Sequence, residues 1–164
     1  MARPIELYLV RHAIAAERGP RWPDDGKRPL TVKGIGRFRE VVRGLAAIGV
    51  GLDVVLSSPL VRAIQTADLL AEGLDPRPPV EQVEGLAPGA TVEAFVAALA
   101  RAKRARIACV GHEPDLGQLA AHLVGASQPF EFKKGGVCRI DLERASGPGR
   151  LVWLATPSLL RARA

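Results

Sequence analysis

Cysteine is scarce in this chain, as are aromatic side chains, lysine and long apolar runs. The two cysteines, Cys109 and Cys138, stand in apolar, strand-like stretches with no CxxC or metal-ligand spacing. Buried thiols in a reducing compartment are therefore expected, not a disulfide or a thiolate metal site. Four Phe, two Trp and one Tyr leave little surface on which bases could stack, and no RNA-binding motif is present, so no nucleic-acid partner is expected. No apolar segment is long enough to cross a bilayer, and the start, MARPIELYLV, lacks the apolar length and cleavage site of a signal peptide. That pattern predicts a soluble cytoplasmic protein without a membrane partner. There is no P-loop and no tight carboxylate cluster at a strand end, so no metal ion or other cofactor is expected.

What the chain has is enough apolar residue content for a core. Its 164 residues are 48% hydrophobic, which predicts one globular domain over 1–164. Lys and Arg number 23 against 17 Asp and Glu, a net charge of +6. That balance suits an anionic substrate without specifying one. Only Lys27, Lys33, Lys103, Lys133 and Lys134 are lysines, so arginine carries most of the positive charge. The cluster RAKRAR at 101–106 reads as a solvated helix end and loop.

Apolar runs at IELYLV (5–10), DVVL (53–56) and RIACV (106–110) predict buried strands, with a further short strand near 80–83. Between them, Thr31 opens a helix whose Val32, Ile35, Phe38, Val41, Val42, Leu45 and Ile48 recur at helical spacing, ended by Gly49 and Gly51. Further helices are expected over about 60–72, from Thr91, and after GHEP with Leu116, Leu119, Leu123 and Val124 inward and Gly125 as its stop. VCRIDL (137–142) and RLVWLA, joined by SGPG, read as a hairpin. The predicted architecture is a single three-layer α/β domain: a mainly parallel central sheet, helices on both faces and a C-terminal antiparallel hairpin.

Open α/β sheets bind ligands beyond the carboxyl ends of their strands. There, the first strand ends in Arg11-His12, the second in Ser57-Ser58-Pro59 with Arg62 one turn onward, and the third in Gly111-His112-Glu113-Pro114. Pro59 and Pro114 suit first helical turns, which makes Ser58 and Glu113 candidate N-caps. Singly, each of these residues is as well explained by a surface or a turn. Two arginines and two histidines from three segments at one edge are not. Guanidinium forks bind phosphate and keep their charge, and a neutral imidazole is a nucleophile at physiological pH. The pair Asp24-Asp25 lies in a proline- and glycine-rich loop over 19–29 and is read as solvated, with a place on the pocket rim as the alternative.

In order and spacing, LVRHA (9–13), SSPLVRAIQTA (57–67) and VGHEPDLG (110–117) resemble the histidine phosphatase superfamily, with the phosphoglycerate mutase-like fold. Ala13, KRPLTVKG (27–34) and the short length are similar to the SixA-type phosphohistidine phosphatases. The resemblance implies that His12 accepts the phosphoryl group, that Arg11 and Arg62 clamp it and that His112 donates to it. With Arg11, Arg62 and His112 supplying the positive field, turnover without a metal ion is expected. For a general acid the resemblance offers Glu113, beside His112, or Glu81, Glu84 or Glu93; Glu113 equally fits a helix cap. The implied substrate is a phosphohistidine-containing protein, with a small phosphorylated molecule as the alternative. A mutase must hold a second phosphate and exclude water, and no insertion long enough for a lid is present.

Overall fold

The computed structural model describes residues 3–164. Its strands are β1 (Ile5–Arg11), β2 (Val54–Ser57), β3 (Val80–Gln82), β4 (Arg106–Gly111), β5 (Val137–Leu142) and β6 (Gly149–Ala155). The helices are α1 (Val32–Ala47), α2 (Val61–Glu72), α3 (Val92–Ala102), α4 (Asp115–Val124) and α5 (Pro157–Arg161). The six strands form one sheet in the order β3-β2-β4-β1-β5-β6. The first four are mutually parallel, and β5 and β6 add an antiparallel hairpin against β1.

β1 lies inside the sheet and is covered on both faces, which is why it reads as an unbroken apolar run. Side chains alternate across a strand. Leu7 and Leu9 therefore meet Phe95, Leu99, Leu116 and Leu119 of α3 and α4, while Tyr8 and Val10 face Phe38, Val41, Leu45 and Leu70 of α1 and α2. Each such leucine, fully buried, contributes about 1.5–3 kcal/mol of apolar transfer energy.

Helix ends follow the expected chemistry in α1, α3 and α4. Thr31 Oγ1 accepts the Gly34 N–H at 2.9 Å and Thr91 Oγ1 accepts the Ala94 N–H at 3.1 Å. Gly125 stops α4 in the left-handed region, φ 72°. The two proline-led helices depart from expectation. α2 begins at Val61 with Leu60 as its cap residue, so Pro59 lies outside it, although Ser58 Oγ still accepts the Leu60 N–H at 3.2 Å. In α4, Pro114 itself is the cap residue.

α5 was not expected: five residues are too few for a periodic signal. Thr156 caps it and Pro157 opens it. Leu160 seats the helix on α1 at Gly44, where any side chain would place Cβ 1.9 Å from the Leu160 carbonyl oxygen.

Candidate active site

The ladder between β1 and β4 builds the centre of the site. It sets Arg11 beside Gly111, and the next residue on each side is a histidine. The His12 N–H donates to the Gly111 carbonyl at 3.1 Å, and the two imidazole centroids stand 5.3 Å apart, inclined by 52°. On the far side of β4, the Ser58 N–H donates to the Val110 carbonyl at 3.0 Å. Ser58 Oγ thereby comes within 2.8 Å of His112 Nε2.

Both imidazoles are buried, at 6% and 5% exposure. His12 Nδ1 lies 2.7 Å from the Ala13 carbonyl. A carbonyl can only accept, so Nδ1 holds the proton and Nε2 keeps its lone pair. Burial pushes the His12 pKa down to about 4; the Ala13 bond opposes this, and the charges of Arg62, Arg11 and Lys134 add to it. Burial, then His12 and Arg62, push His112 down to about 3. Two neutral rings in a cationic pocket result.

The arginines are tethered by their tips. Arg11 Nη1 donates to the Phe132 carbonyl at 2.7 Å. Arg62 Nη1 donates to the Asp25 carbonyl at 2.8 Å and Nη2 to the Asp25 carboxylate at 3.1 Å. Both Nε–H groups are buried without a partner, as is Nδ1 of His112. Buried donors are nearly always satisfied. The three orphans belong to residues that line, together with His12, one cavity of about 330 Å³.

Asp25 corrects the reading of its loop. Far from being merely solvated, it ties the loop to Arg62 and also accepts from Arg28 Nε at 2.8 Å. Arg28, buried at 7% exposure, and Lys134 join the cavity wall. Arg28 lies in the KRPLTVKG motif without a role implied there, and Lys134 carries no sequence signal; both sit in aperiodic segments. Lys134 is placed by backbone bonds: the Gly135 N–H meets the Arg11 and His12 carbonyls, both at 3.1 Å, and the Arg11 N–H meets Gly136 O at 3.1 Å.

Of the carboxylates offered by the sequence, Glu113 lines the cavity, whereas Glu81, Glu84 and Glu93 are exposed and do not line it. Both oxygens of Glu113 are engaged, by the Gly117 N–H at 2.7 Å and the Phe132 N–H at 3.1 Å. The segment approaches α4 closely because residue 117 is glycine; a Cβ there would lie 1.9 Å from the Phe130 carbonyl oxygen. Glu17, which the sequence did not single out, is an exposed carboxylate on the cavity wall. Among the described residues, no three His, Cys, Asp or Glu side chains gather as a metal site.

The three-layer α/β domain thus gathers two neutral imidazoles and two guanidiniums at the ends of its parallel strands. A family model, the histidine phosphatase superfamily (branch 1), matches residues 7–88, and the chain belongs to that superfamily, in its SixA-like branch. It is 28% identical over 160 residues to the phosphohistidine phosphatase SixA of Escherichia coli strain K12, covering 96% of this chain and 97% of that one. An uncharacterized protein of Picosynechococcus sp. is 42% identical over 139 residues, 81% of this chain and 82% of the relative. Among solved structures, the protein histidine phosphatase SixA complexed with tungstate superposes with a TM-score of 0.84 at 28% identity, covering 95% and 99% of the two chains. The α-ribazole phosphatase of Shigella flexneri, at 22% identity and a TM-score of 0.72 over 93% and 97%, shares the fold.

Proposed function

We propose that the protein hydrolyses phosphohistidine in a partner protein through a covalent phosphoryl-His12 intermediate. The observation that carries this reading is the neutral His12, with its Nε2 lone pair free, in one cavity lined by Arg11, Arg62 and His112, each of which holds a buried nitrogen without a partner. His12 Nε2 attacks phosphorus, and the substrate's phosphorus–nitrogen bond breaks as its imidazole leaves with a proton. Water then attacks phosphoryl-His12, releasing phosphate and restoring the ring. The two guanidiniums and the His112 donor stabilise the transferring group, the largest requirement of phosphoryl transfer.

Full-length similarity to SixA supports the substrate class, and tungstate, present in the matching SixA structure, is a tetrahedral oxyanion like phosphate. The committed carboxylate of Glu113 supports it further, since a protonated imidazole leaves without the dedicated acid an alkoxide requires. Two free, buried cysteines fit a reducing cytoplasm, and among the described residues no helix is long and apolar enough to cross a membrane.

One observation favours a small phosphomonoester instead: the exposed Glu17 carboxylate on the cavity wall would serve as its acid. A panel of phosphohistidine peptide, aryl phosphate, sugar phosphates and nucleotides decides between them. Preference for phosphohistidine, retained in EDTA and after Glu17→Gln, is expected. Preference for an alkyl phosphate that Glu17→Gln abolishes would overturn the substrate assignment.

A further inference from the structure

At the end of β1 opposite His12 lies a second cavity, of about 560 Å³, between the start of β1, the end of α3 and the turn joining β5 to β6. Its floor is apolar: Val96, Ala100 and Ala145, with Ile5 and Leu99 beneath. It is larger than the phosphoryl cavity and falls within the range of roughly 300–1,000 Å³ typical of small-ligand sites. The rim carries Arg3, Lys103, Arg104 and Arg144, and no carboxylate lines the cavity. None of these four cations is ion-paired among the described residues. Two of them belong to the RAKRAR cluster, which the phosphatase chemistry does not use.

A separate observation marks the same place. Lys103 caps α3 at φ 51°, ψ 43°, and is the one non-glycine residue at positive φ among the described residues. Glycine adopts that conformation freely and is the usual residue there, whereas a lysine holds it under strain. Strain of this kind gathers at ligand sites, where function opposes stability.

We propose that this cavity binds a free, single-chain anionic amphiphile, its hydrocarbon tail on the apolar floor and its carboxylate or phosphate head among the rim cations. Arg and Lys stems extend the apolar wall while their heads reach the anion. A membrane surface fits less well, because the large apolar residues are recessed: Ile5 and Leu99 are 6% and 1% exposed, and the exposed apolar residue of the lining, Ala100, is too small to anchor in a bilayer.

The test is an amide NMR titration with dodecanoate and with dodecyl phosphate, each below its micellar concentration. One saturable site is expected, with shifts confined to the end of α3, the start of β1 and the turn at 143–146. Acetate and dodecyltrimethylammonium, which supply head or tail without the pairing, should produce none. Binding of one anion and not the other supports the site and assigns its head group. Arg104→Glu with Arg144→Glu should weaken binding about tenfold or more while hydrolysis at the far end of the sheet is unchanged. Lys103→Gly should raise the melting temperature and weaken binding together. Equal binding of the cationic amphiphile, no saturable binding of either anion, or binding only to phosphatidylglycerol vesicles would overturn the proposal.

Discussion

Asp25 holds the tip of Arg62 at two points, through its main-chain carbonyl at 2.8 Å and its carboxylate at 3.1 Å. The end-on edge of the guanidinium is thus spent on orientation, and Nε is left without a partner; in the proposed mechanism that edge holds the phosphate. A lysine keeps one charge but cannot serve both edges. Arg62→Lys should lower kcat/KM by roughly 10²–10³ with a small change in melting temperature. Asp25→Ala frees the same side chain to wander and should lower it by about tenfold or more. Near-full activity in Arg62→Lys would remove Arg62 from the clamp.

If His12 accepts the phosphoryl group, rapid quench with labelled substrate should trap a phosphoenzyme stable to alkali and lost in acid, as a phosphorus–nitrogen bond requires. His12→Ala should abolish the label and leave a folded protein. His112→Ala should slow labelling without moving it. A label on serine contradicts the mechanism.

Ser58 is a positioning residue in this scheme. Its hydroxyl accepts the Leu60 N–H and faces His112 Nε2; in this scheme it donates its own proton to Nε2 and leaves the ring proton on Nδ1, the atom without a partner. Ser58→Ala should lower kcat with little change in KM. The ¹⁵N shifts of His112 should report a change of tautomer, which a purely structural serine would not cause.

Acid should destabilise the fold through the same rings. Their folded pKa values are pushed down to about 4 for His12 and about 3 for His112, from about 6.5 in an unfolded chain. Between those values the unfolded state binds more protons. Stability from this source is complete above about pH 6.5 and falls as pH drops towards 4, by about 1.4 kcal/mol per pH unit for each histidine. Denaturant titrations at pH 7, 6 and 5 measure the slope; a flat profile means the rings protonate freely in the fold.

Glu113 distinguishes an acid from a brace. Its oxygens accept from Gly117 and Phe132, and the amide nitrogen of Gln would face an N–H donor. Glu113→Gln should therefore reduce stability by about 1 kcal/mol and depress turnover of phosphohistidine, aryl and alkyl phosphates alike. A loss confined to alkyl phosphates makes Glu113 the acid.

The strand ends were legible because β1, β2 and β4 are apolar runs that stop where polar residues begin, and parallel pairing then carries Arg11, His12, Ser58 and His112 to one edge. α1 was legible from Thr31 and the spacing of Phe38, Val41 and Leu45. Asp25 was legible only as a possible rim residue, without its contact to Arg62, Arg28 only as part of a motif, and Lys134 not at all, because their loops have no period and are positioned by contacts from distant segments. That both oxygens of Glu113 are engaged could not be read from the sequence, because one partner, the Phe132 N–H, lies nineteen positions along the chain.

Every motif of the family lies before residue 118, yet the Phe132 carbonyl orients Arg11 and Gly135 and Gly136 close over the end of β1. Catalytic competence is thus a property of the completed sheet. A chain cut after Gly125 would retain both histidines and both arginines, expose β1 as a raw edge and leave Arg11 without its tether. A nascent chain would carry the whole signature of the enzyme before it could act as one.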